Sequence, residues 1–312
     1  MIRVSPDLLI ELGCEAASSD KYGDALGFIG QINTPDAMSL KGEWSYQYGK
    51  QLVSSGKYGD AREFFAVAVQ HHSRPPVRTL AQKRNELVNR ILNGQTKPVV
   101  DMTDQFETVR IAQAMALPHE TFAPLIEVTG CPAAYRSGYD PKRSDPLSML
   151  IRTVKQESRD PVVTEERERA IGQVGDFLAA YAHASTPLLR DADLLVPVPS
   201  DLERLASRGY SIPLILAARV ATRCAVPLYT NLIETTGPRE DLRRLPSWAR
   251  AGAVEDAYGG TGKATMLDGL SVIVVDDVLT TGATLREVAS VLHDCGCRRV
   301  SALVLAHTEW GG

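Results

Sequence analysis

Apolar runs alternate with amphipathic segments along the C-terminal part of the chain. Runs rich in Val, Ile and Leu predict strands, and segments with helical periodicity between them predict helices. The predicted strands cover 194–199, 226–233, 272–276 and 299–306, and the predicted helices cover 214–222 and 285–295. Continuous β-branched runs separated by helices are typical of a parallel sheet covered on both faces. This pattern predicts an α/β domain whose ligands bind at the carboxyl ends of the strands.

The N-terminal part instead contains a repeated helical pattern. The sequence Lys-Tyr-Gly-Asp-Ala starts at Lys21 and again at Lys57, 36 residues later. Each unit reads as a helix, a turn and a second helix, and 78–92 predicts a closing helix. Small residues at equivalent positions of the two units predict close helix packing: Gly13/Gly49 and Ala25/Ala61. Larger residues at equivalent positions are predicted to fill the groove between the helices: Phe28/Phe64 and Ile29/Phe65. The region resembles a tetratricopeptide-type array.

Two such units are fewer than these arrays usually need for stability. We therefore expect residues 1–95 to dock on the rest of the chain or on a protein partner. A generic pair of helical hairpins without a binding role is the alternative. The Asn-Gly-Gln-Thr-Lys-Pro stretch at 93–98 reads as a linker.

The remaining pattern divides the chain into three parts. A helix is predicted over 104–117, and two more over 146–155 and 164–184. The predicted domains are a helical-repeat domain over 1–95, a linker with a short helix over 96–132, and an α/β domain over 133–312.

Composition narrows the functional classes. The chain has 312 residues and a net charge of −4, which does not indicate wrapping of nucleic acid, although a local basic groove stays open as an alternative. The sequence shows neither a signal peptide nor an apolar window of membrane-spanning length, so we expect a cytoplasmic protein without a membrane partner. Five dispersed cysteines predict reduced thiols. His293, Cys295 and Cys297 lie close together, but a helix end capped by Gly296 explains them better than a metal site.

The run Val272–Thr284 carries the strongest chemical signal. Its apolar residues lead into Asp276 and Asp277, and a loop rich in Thr and Gly follows before the predicted helix. Loop amides and a helix N-terminus bind phosphate, and paired acids can bind sugar hydroxyls or a metal-bound polyphosphate. The alternative is a buried strand that ends in Asp, followed by a capping box over Thr284–Glu287.

This run resembles the 5-phosphoribosyl-1-pyrophosphate (PRPP) motif of type I phosphoribosyltransferases. The resemblance implies that Asp276 and Asp277 contact the ribose 2′- and 3′-hydroxyls. It also implies an Mg²⁺ ion that reaches these acids only indirectly, through bound PRPP. The residues that would wrap the 5′-phosphate are Thr280, Thr281, Gly282, Ala283 and Thr284.

A second candidate loop follows the first predicted strand. Its members are Pro199 and Ser200, with Arg204 and Arg208 downstream. Arginines at this spacing can neutralise a pyrophosphate, although prolines also end strands and arginines also coat helix surfaces. The order of these motifs, over about 135–308, resembles the ComF family. The resemblance implies that Arg204 and Arg208 receive the pyrophosphate of PRPP and that Pro199 and Ser200 belong to the same binding site.

The sequence departs from the ComF pattern where the acceptor would lie. The family's Arg-Gly-Phe-Asn-Gln appears as Arg208-Gly209-Tyr210-Ser211-Ile212, and an expected Asn is Ala253. The long connection over 235–262 carries arginines and predicts either a lid or a solvated basic loop: Arg239, Arg243, Arg244 and Arg250.

The sequence favours a ComF-like phosphoribosyltransferase that transfers a phosphoribosyl group to an unknown acceptor and releases pyrophosphate. The alternative is a non-catalytic PRPP- or nucleotide-binding sensor or adaptor that acts through the helical repeats. The ComF resemblance also implies a link to DNA uptake. The predicted fold is a parallel-sheet type I phosphoribosyltransferase fold preceded by an all-α domain.

Overall fold

A computed structural model describes residues 5–96, 124–135, 146–156, 164–184, 186–236 and 257–308. The chain divides into two compact units, Met1–Pro98 and Val99–Gly312. The predicted helix over 104–117, most of the predicted linker, and the loop arginines between 239 and 250 lie outside the described residues. The domain limits at 95 and 133 therefore stay predictions.

The first unit is helical, as predicted. Pro residues occupy the start of several helices, where the missing amide hydrogen costs no hydrogen bond. Ser5 and Thr34 cap the helices that begin at Pro6 and Pro35, by accepting hydrogen bonds from the amides of Leu8 and Ala37. The helices are α1 (Pro6–Ser18), α2 (Tyr22–Ile29), α3 (Pro35–Ser54), α4 (Tyr58–His71) and α5 (Pro75–Leu92). Their relation to tetratricopeptide arrays stays a prediction.

The repeat positions pack much as their sizes suggest. A Cβ atom added at Gly13 would lie 2.7 Å from the Trp44 ring, and one at Gly49 would lie 2.7 Å from the Phe65 ring, so both glycines permit close packing. Ile29 is fully buried, as is Phe65. The prediction was wrong for Phe28, which is 37% exposed. The first repeat therefore leaves partly open a position that the pattern assigned to the groove.

The second unit is built on a parallel sheet with the order β1–β7–β6–β3, and β2 also pairs with β7. The strands of this unit are β1 (Thr129–Gly130), β2 (Ala134–Tyr135), β3 (Leu194–Pro197), β4 (Ile233–Thr235), β5 (Tyr258–Gly260), β6 (Ser271–Leu279) and β7 (Arg299–Thr308). The helices are α6 (Pro146–Lys155), α7 (Glu165–Ala184), α8 (Thr186–Arg190), α9 (Leu202–Arg208), α10 (Ile212–Cys224) and α11 (Ala283–Asp294), with a 3₁₀ turn at Ala264–Leu267.

Helices cover the central strands, as the continuous apolar runs predicted. Ile273 and Val275 of β6 share one core with α6, α7 and α10. The alternate residues Val272 and Val274 are equally buried, and α11 packs on β6 and β7. Because side chains alternate between the faces of a strand, a strand apolar at every position must be covered on both sides. This arrangement confirms the predicted fold class.

The predicted strand over 226–233 was wrong. Only Leu228 bridges to Leu195 of β3, and β4 instead pairs antiparallel with β5 in a separate two-stranded sheet. Thr230 and Asn231 are exposed, so the segment has too few buried positions to extend the central sheet. β1 and β2, which no pattern predicted, contain two residues each and are too short to show periodicity.

The cysteines are free thiols, as predicted. Burial raises the pKa of the Cys224 thiol to about 12, which keeps it protonated. After α11, Gly296 adopts the left-handed conformation with φ of 87°, the helix end that the sequence indicated. Among the described helices, none is long and apolar enough to cross a membrane.

Gly42→Ala is predicted to destabilise the helical unit. A Cβ atom at Gly42 would overlap the backbone at His71 and His72, which cannot move aside as a flexible side chain could. We expect a loss of about 2 kcal/mol or more in the free energy of unfolding, measured by thermal and urea denaturation. The matched control is Gly59→Ala, where a Cβ atom meets open space. Equal stability of the two variants would contradict this packing.

Candidate functional site

The acid doublet, Asp276 and Asp277, lies on the part of β6 that extends past the end of the neighbouring strand β3. β3 ends at Pro197, which pairs with Val275, whereas β6 continues to Leu279. Asp276 and Asp277 therefore occupy the carboxyl end of the sheet, where ligands of parallel sheets bind. Each carboxylate accepts from the amide that follows it: Asp277 N donates to Asp276 Oδ1 at 2.8 Å, and Val278 N donates to Asp277 Oδ1 at 2.6 Å.

Lys155 is the immediate partner of the doublet. Its ammonium Nζ lies 2.9 Å from Asp277 Oδ2, and the two side chains are 25% and 16% exposed. Lys155 ends α6, so the pair joins the last residue of that helix to the end of β6. The sequence did not identify Lys155 as a site residue, because the pairing spans distant parts of the chain and leaves no local pattern.

The two acids differ in their protonation. Burial, and then the neighbouring Asp277 carboxylate, raise the pKa of Asp276 to about 7. Burial also acts to raise the pKa of Asp277, but Lys155, the Val278 amide and the charge of Arg208 outweigh it and hold that pKa below its ordinary value. Near neutral pH the doublet therefore holds one fixed negative charge, on Asp277, and a second carboxyl poised to gain or lose its proton.

The predicted phosphate loop turns directly into α11. Gly282 is the N-cap residue and has φ of 75°, a conformation that favours glycine. Arg286 Nη2 donates to the Thr281 carbonyl at 3.0 Å and so supports the loop from within the helix. Ala283 and Thr284 form the first turn of α11, whose amides have no partners within the helix. The five loop residues thus lie in one continuous turn beside the doublet.

The capping-box alternative for Thr284–Glu287 was wrong. Thr284 lies inside the helix, and Gly282 makes no side-chain cap. Glu287 Oε1 instead accepts from the amides of Ala257 and Tyr258, at 2.6 and 3.3 Å. Glu287 therefore ties α11 to the start of β5.

The second predicted loop lies at the end of the adjacent strand β3. The Val198 amide donates to the Val275 carbonyl at 2.9 Å, which places Pro199 and Ser200 next to the doublet strand. Asp201 caps α9 by accepting from the amide of Arg204 at 2.7 Å. Its carboxylate also pairs with Arg204 Nε at 3.1 Å.

The two predicted arginines face the doublet from α9. The charge of Arg204 acts on Asp276, and the charge of Arg208 acts on Asp277. Arg208 is only 5% exposed, whereas the Arg204 side chain is 37% exposed. The structure therefore brings both arginines to the acids, with Arg208 inside the protein and Arg204 closer to solvent.

The residues after Arg208 hold the second loop against the start of α10. Gly209 adopts φ of 80°, and Ser211 then caps α10 by accepting from the Leu214 amide. Ser200 Oγ and Ser211 Oγ lie 2.7 Å apart, so the second loop is bonded to the start of α10. The Tyr210 hydroxyl donates to the Val154 carbonyl at 2.6 Å.

A separate cavity of about 260 Å³ lies at the opposite end of the sheet. Its lining includes Ser271 and Val272 at the start of β6, together with Glu127, Asp191 and Arg299. Arg299 binds both acids there, at 2.5 and 3.1 Å. Arg190 also pairs with Asp191, at 3.3 Å, so two cations balance the two acids. The cavity is remote from the carboxyl ends of the strands, where Asp276 and Asp277 lie.

The described residues do not form a dedicated metal site. Within those ranges, no group of three or more His, Cys, Asp or Glu side chains is arranged to hold a metal ion. Asp277 is already paired with Lys155, and the pKa of Asp276 is raised to about 7. An Mg²⁺ ion fits here only if a polyphosphate ligand supplies most of its oxygen ligands, which is how Mg²⁺ commonly binds.

Comparison with known proteins supports the geometry. Residues 236–309 match the phosphoribosyl transferase domain family. The chain is 25% identical to competence protein F of Haemophilus influenzae over 162 residues, which is 52% of this chain and 68% of that protein. No solved structure matches the chain. The domain match spans the doublet and its loop, and the parallel sheet fits the same fold, so the second unit of this chain is similar to ComF-like type I phosphoribosyltransferases.

Proposed function

We propose that the second unit binds PRPP at the carboxyl end of its sheet and transfers the phosphoribosyl group to an acceptor with release of pyrophosphate. The observation that carries this proposal is the juxtaposition of three features at one edge. They are the acid doublet of β6, the glycine-capped turn into α11, and the arginines of α9.

Each feature suits one part of the ligand. The carboxylate of Asp277 accepts hydrogen bonds from ribose hydroxyls, and Asp276 accepts or donates according to its protonation. The open first turn of α11 supplies amides and a favourable dipole to the 5′-phosphate. We assign the pyrophosphate to Arg204 and Arg208, because guanidinium groups match phosphate oxygens in pairs.

The reaction needs positioning more than covalent assistance. A nucleophile forms a bond to C1 of the ribose while the C1–O bond to pyrophosphate breaks, and the electron pair of that bond leaves with pyrophosphate. Positive charge develops on the ribose, and the Asp277 carboxylate places negative potential near it. Mg²⁺ bound to the pyrophosphate would neutralise part of the leaving charge. The chain itself holds both phosphate ends and fixes the sugar between them.

A specific observation favours a second candidate, a PRPP or nucleotide sensor without turnover. Asp277 is held in an ion pair with Lys155, and Ser211 and Ile212 stand where the ComF pattern has Asn and Gln. Ser211 is used to cap α10 and to bind Ser200, so its hydroxyl is engaged in supporting the loop. In this case a protein partner of residues 1–95 would receive the signal.

Replacing both acids is predicted to abolish ligand binding. In Asp276→Asn with Asp277→Asn, the sugar loses its charged acceptor and the ammonium of Lys155 loses its partner. We expect the affinity for Mg²⁺-PRPP to fall by about 100-fold or more, measured by calorimetric titration of the full chain. Glu203→Gln, an exposed change on α9, is the matched control. Unchanged affinity in the double variant would refute the assignment.

Turnover separates the enzyme from the sensor. We expect the wild-type chain to release pyrophosphate from PRPP when pooled nucleobases and amines are supplied, and Arg208→Gln to lose that release because the leaving charge is no longer neutralised. A coupled pyrophosphate assay measures both. Tight PRPP binding with no release from any acceptor in the pool would instead favour the sensor.

Asp276→Asn alone is predicted to stabilise the protein at neutral pH. The pKa of Asp276 is about 7 in the folded protein, against an ordinary value of 3.8. Between those pH values the folded protein holds a proton that the unfolded chain releases, so the free energy of unfolding falls as pH rises through this window. The asparagine removes that dependence and retains an oxygen for the Asp277 amide.

The expected gain is small at pH 4 and grows to about 4 kcal/mol at pH 8. Melting temperatures of both proteins across this range measure it, with Glu203→Gln as the control. A difference between the proteins that does not vary with pH would show that Asp276 ionises normally in the folded state.

A further inference from the structure

We propose that Tyr210 is a positioning residue for the acid doublet: its hydroxyl bond to Val154 holds the end of α6 so that Lys155 lies on Asp277. The inference rests on the proposed function only for what the doublet binds. The contacts themselves are independent of what the doublet binds. They join three elements, α6, the loop between α9 and α10, and the end of β6.

The first contact fixes the end of a helix. The last carbonyls of any helix have no partner within the helix, and Val154 is the second-last residue of α6. The Tyr210 hydroxyl donates to that carbonyl at 2.6 Å across 56 residues of sequence. This bond anchors the backbone one residue before Lys155.

The second contact depends on that anchor. Lysine has a long, flexible stem, and holding its ammonium in one place costs side-chain entropy. Lys155 Nζ nevertheless lies 2.9 Å from Asp277 Oδ2, with both groups largely sheltered from solvent. If the Cα atom of Lys155 were also mobile, forming the ion pair would cost conformational entropy of both the backbone and the side chain. The hydrogen bond at Val154 already fixes the backbone, so only the side-chain entropy is lost when the pair forms.

The third contact fixes the Tyr210 ring. The guanidinium of Arg167, in the first turn of α7, lies 5.1 Å from the ring centroid and is 5% exposed. Its Nε and Nη2 atoms are buried and make no hydrogen bond within the described ranges. The aromatic face is therefore a principal neighbour of this buried cation, an arrangement that favours one ring position.

Tyr210 also restrains a second cation of the site. It follows Arg208 by two residues, through the left-handed Gly209. The charged groups that act on Asp277 are Lys155 and Arg208. Asp276 is acted on by Asp277, Lys155 and Arg204. Both cations on Asp277 are thus connected to one tyrosine, Lys155 through the hydroxyl and Arg208 through the backbone.

The test removes the hydroxyl alone. In Tyr210→Phe the ring stays over the Arg167 guanidinium, but the Val154 carbonyl loses its donor and Arg167 loses its interaction with the hydroxyl. We expect hydrogen exchange in the last turn of α6 to speed up and the carboxyl pKa of Asp277 to rise. Carbon-13 NMR titration of the ligand-free full chain measures that pKa, with the Asp277 signal assigned by its loss in Asp277→Asn.

A double variant shows whether Tyr210 acts through Lys155. Lys155→Met should raise the carboxyl pKa of Asp277 without changing the exchange of α6, and Tyr210→Phe should add little to the titration in that background. Tyr181→Phe, which removes a hydroxyl elsewhere in the same core, is the matched control and should leave the Asp277 titration unchanged. Additive effects of Tyr210→Phe and Lys155→Met, or a Tyr210→Phe titration like wild type, would overturn the inference.

Ligand titration separates this inference from the proposed function. If Mg²⁺-PRPP binds, its affinity should decrease as the pH is lowered and Asp277 becomes protonated. In Tyr210→Phe this decrease should occur at a higher pH than in wild type, because the pKa of Asp277 is higher. Binding with an unshifted pH dependence would overturn the positioning role. Failure of wild type to bind Mg²⁺-PRPP would refute the proposed function, and the carboxyl titration and exchange measurements would still decide the role of Tyr210.

Discussion

Two carboxylates on consecutive residues of a largely buried strand form the electrostatic constraint on which the site depends. If both were ionised, the two carboxylates would repel each other and both would lose hydration. The two acids avoid this cost in different ways. Asp277 is paired with Lys155 and stays ionised, whereas Asp276 keeps a raised pKa near 7. The surrounding cations on α6 and α9 make sense as the charge balance of this doublet. A ligand that brings its own phosphates must enter that balance.

The sheet creates the space in which this balance operates. β3 ends beside Val275, and β6 continues, so the acids lie beyond the last paired residues on that side. The backbone that leaves β3 then folds into α9 and returns its arginines toward the acids. Strand ends of different length, rather than any single side chain, set the distance between the two loops. The site is therefore a property of the topology, which explains why its parts come from segments so far apart in sequence.

The sequence predicted what is encoded locally. The doublet, its glycine turn and the strands β6 and β7 each leave a contiguous pattern, and the helices α6 and α7 were predicted within one residue. The strand over 226–233 failed because exposed Thr and Asn interrupt an apolar run that looks continuous by composition. Lys155 and Tyr210 escaped notice for another reason. Their roles depend on pairings between distant elements, and a lysine at a helix end or a tyrosine after glycine is ordinary by itself.

The N-cap of α11 differs from the one that the sequence pattern indicates, and the difference affects phosphate binding. Thr284 and Glu287 have the spacing of a capping box, yet the N-cap lies two residues earlier, at Gly282, and the helix begins at Ala283. A Ser or Thr cap would place its own oxygen on the first amides of the helix and compete with any phosphate for them. Glycine supplies the turn and contributes no acceptor. Glu287 does not cap the helix and instead accepts hydrogen bonds from two amides at the start of β5. Thr281 Oγ1 reaches the Ala283 amide only at 3.5 Å, and an anionic ligand can supply stronger acceptors to this first turn.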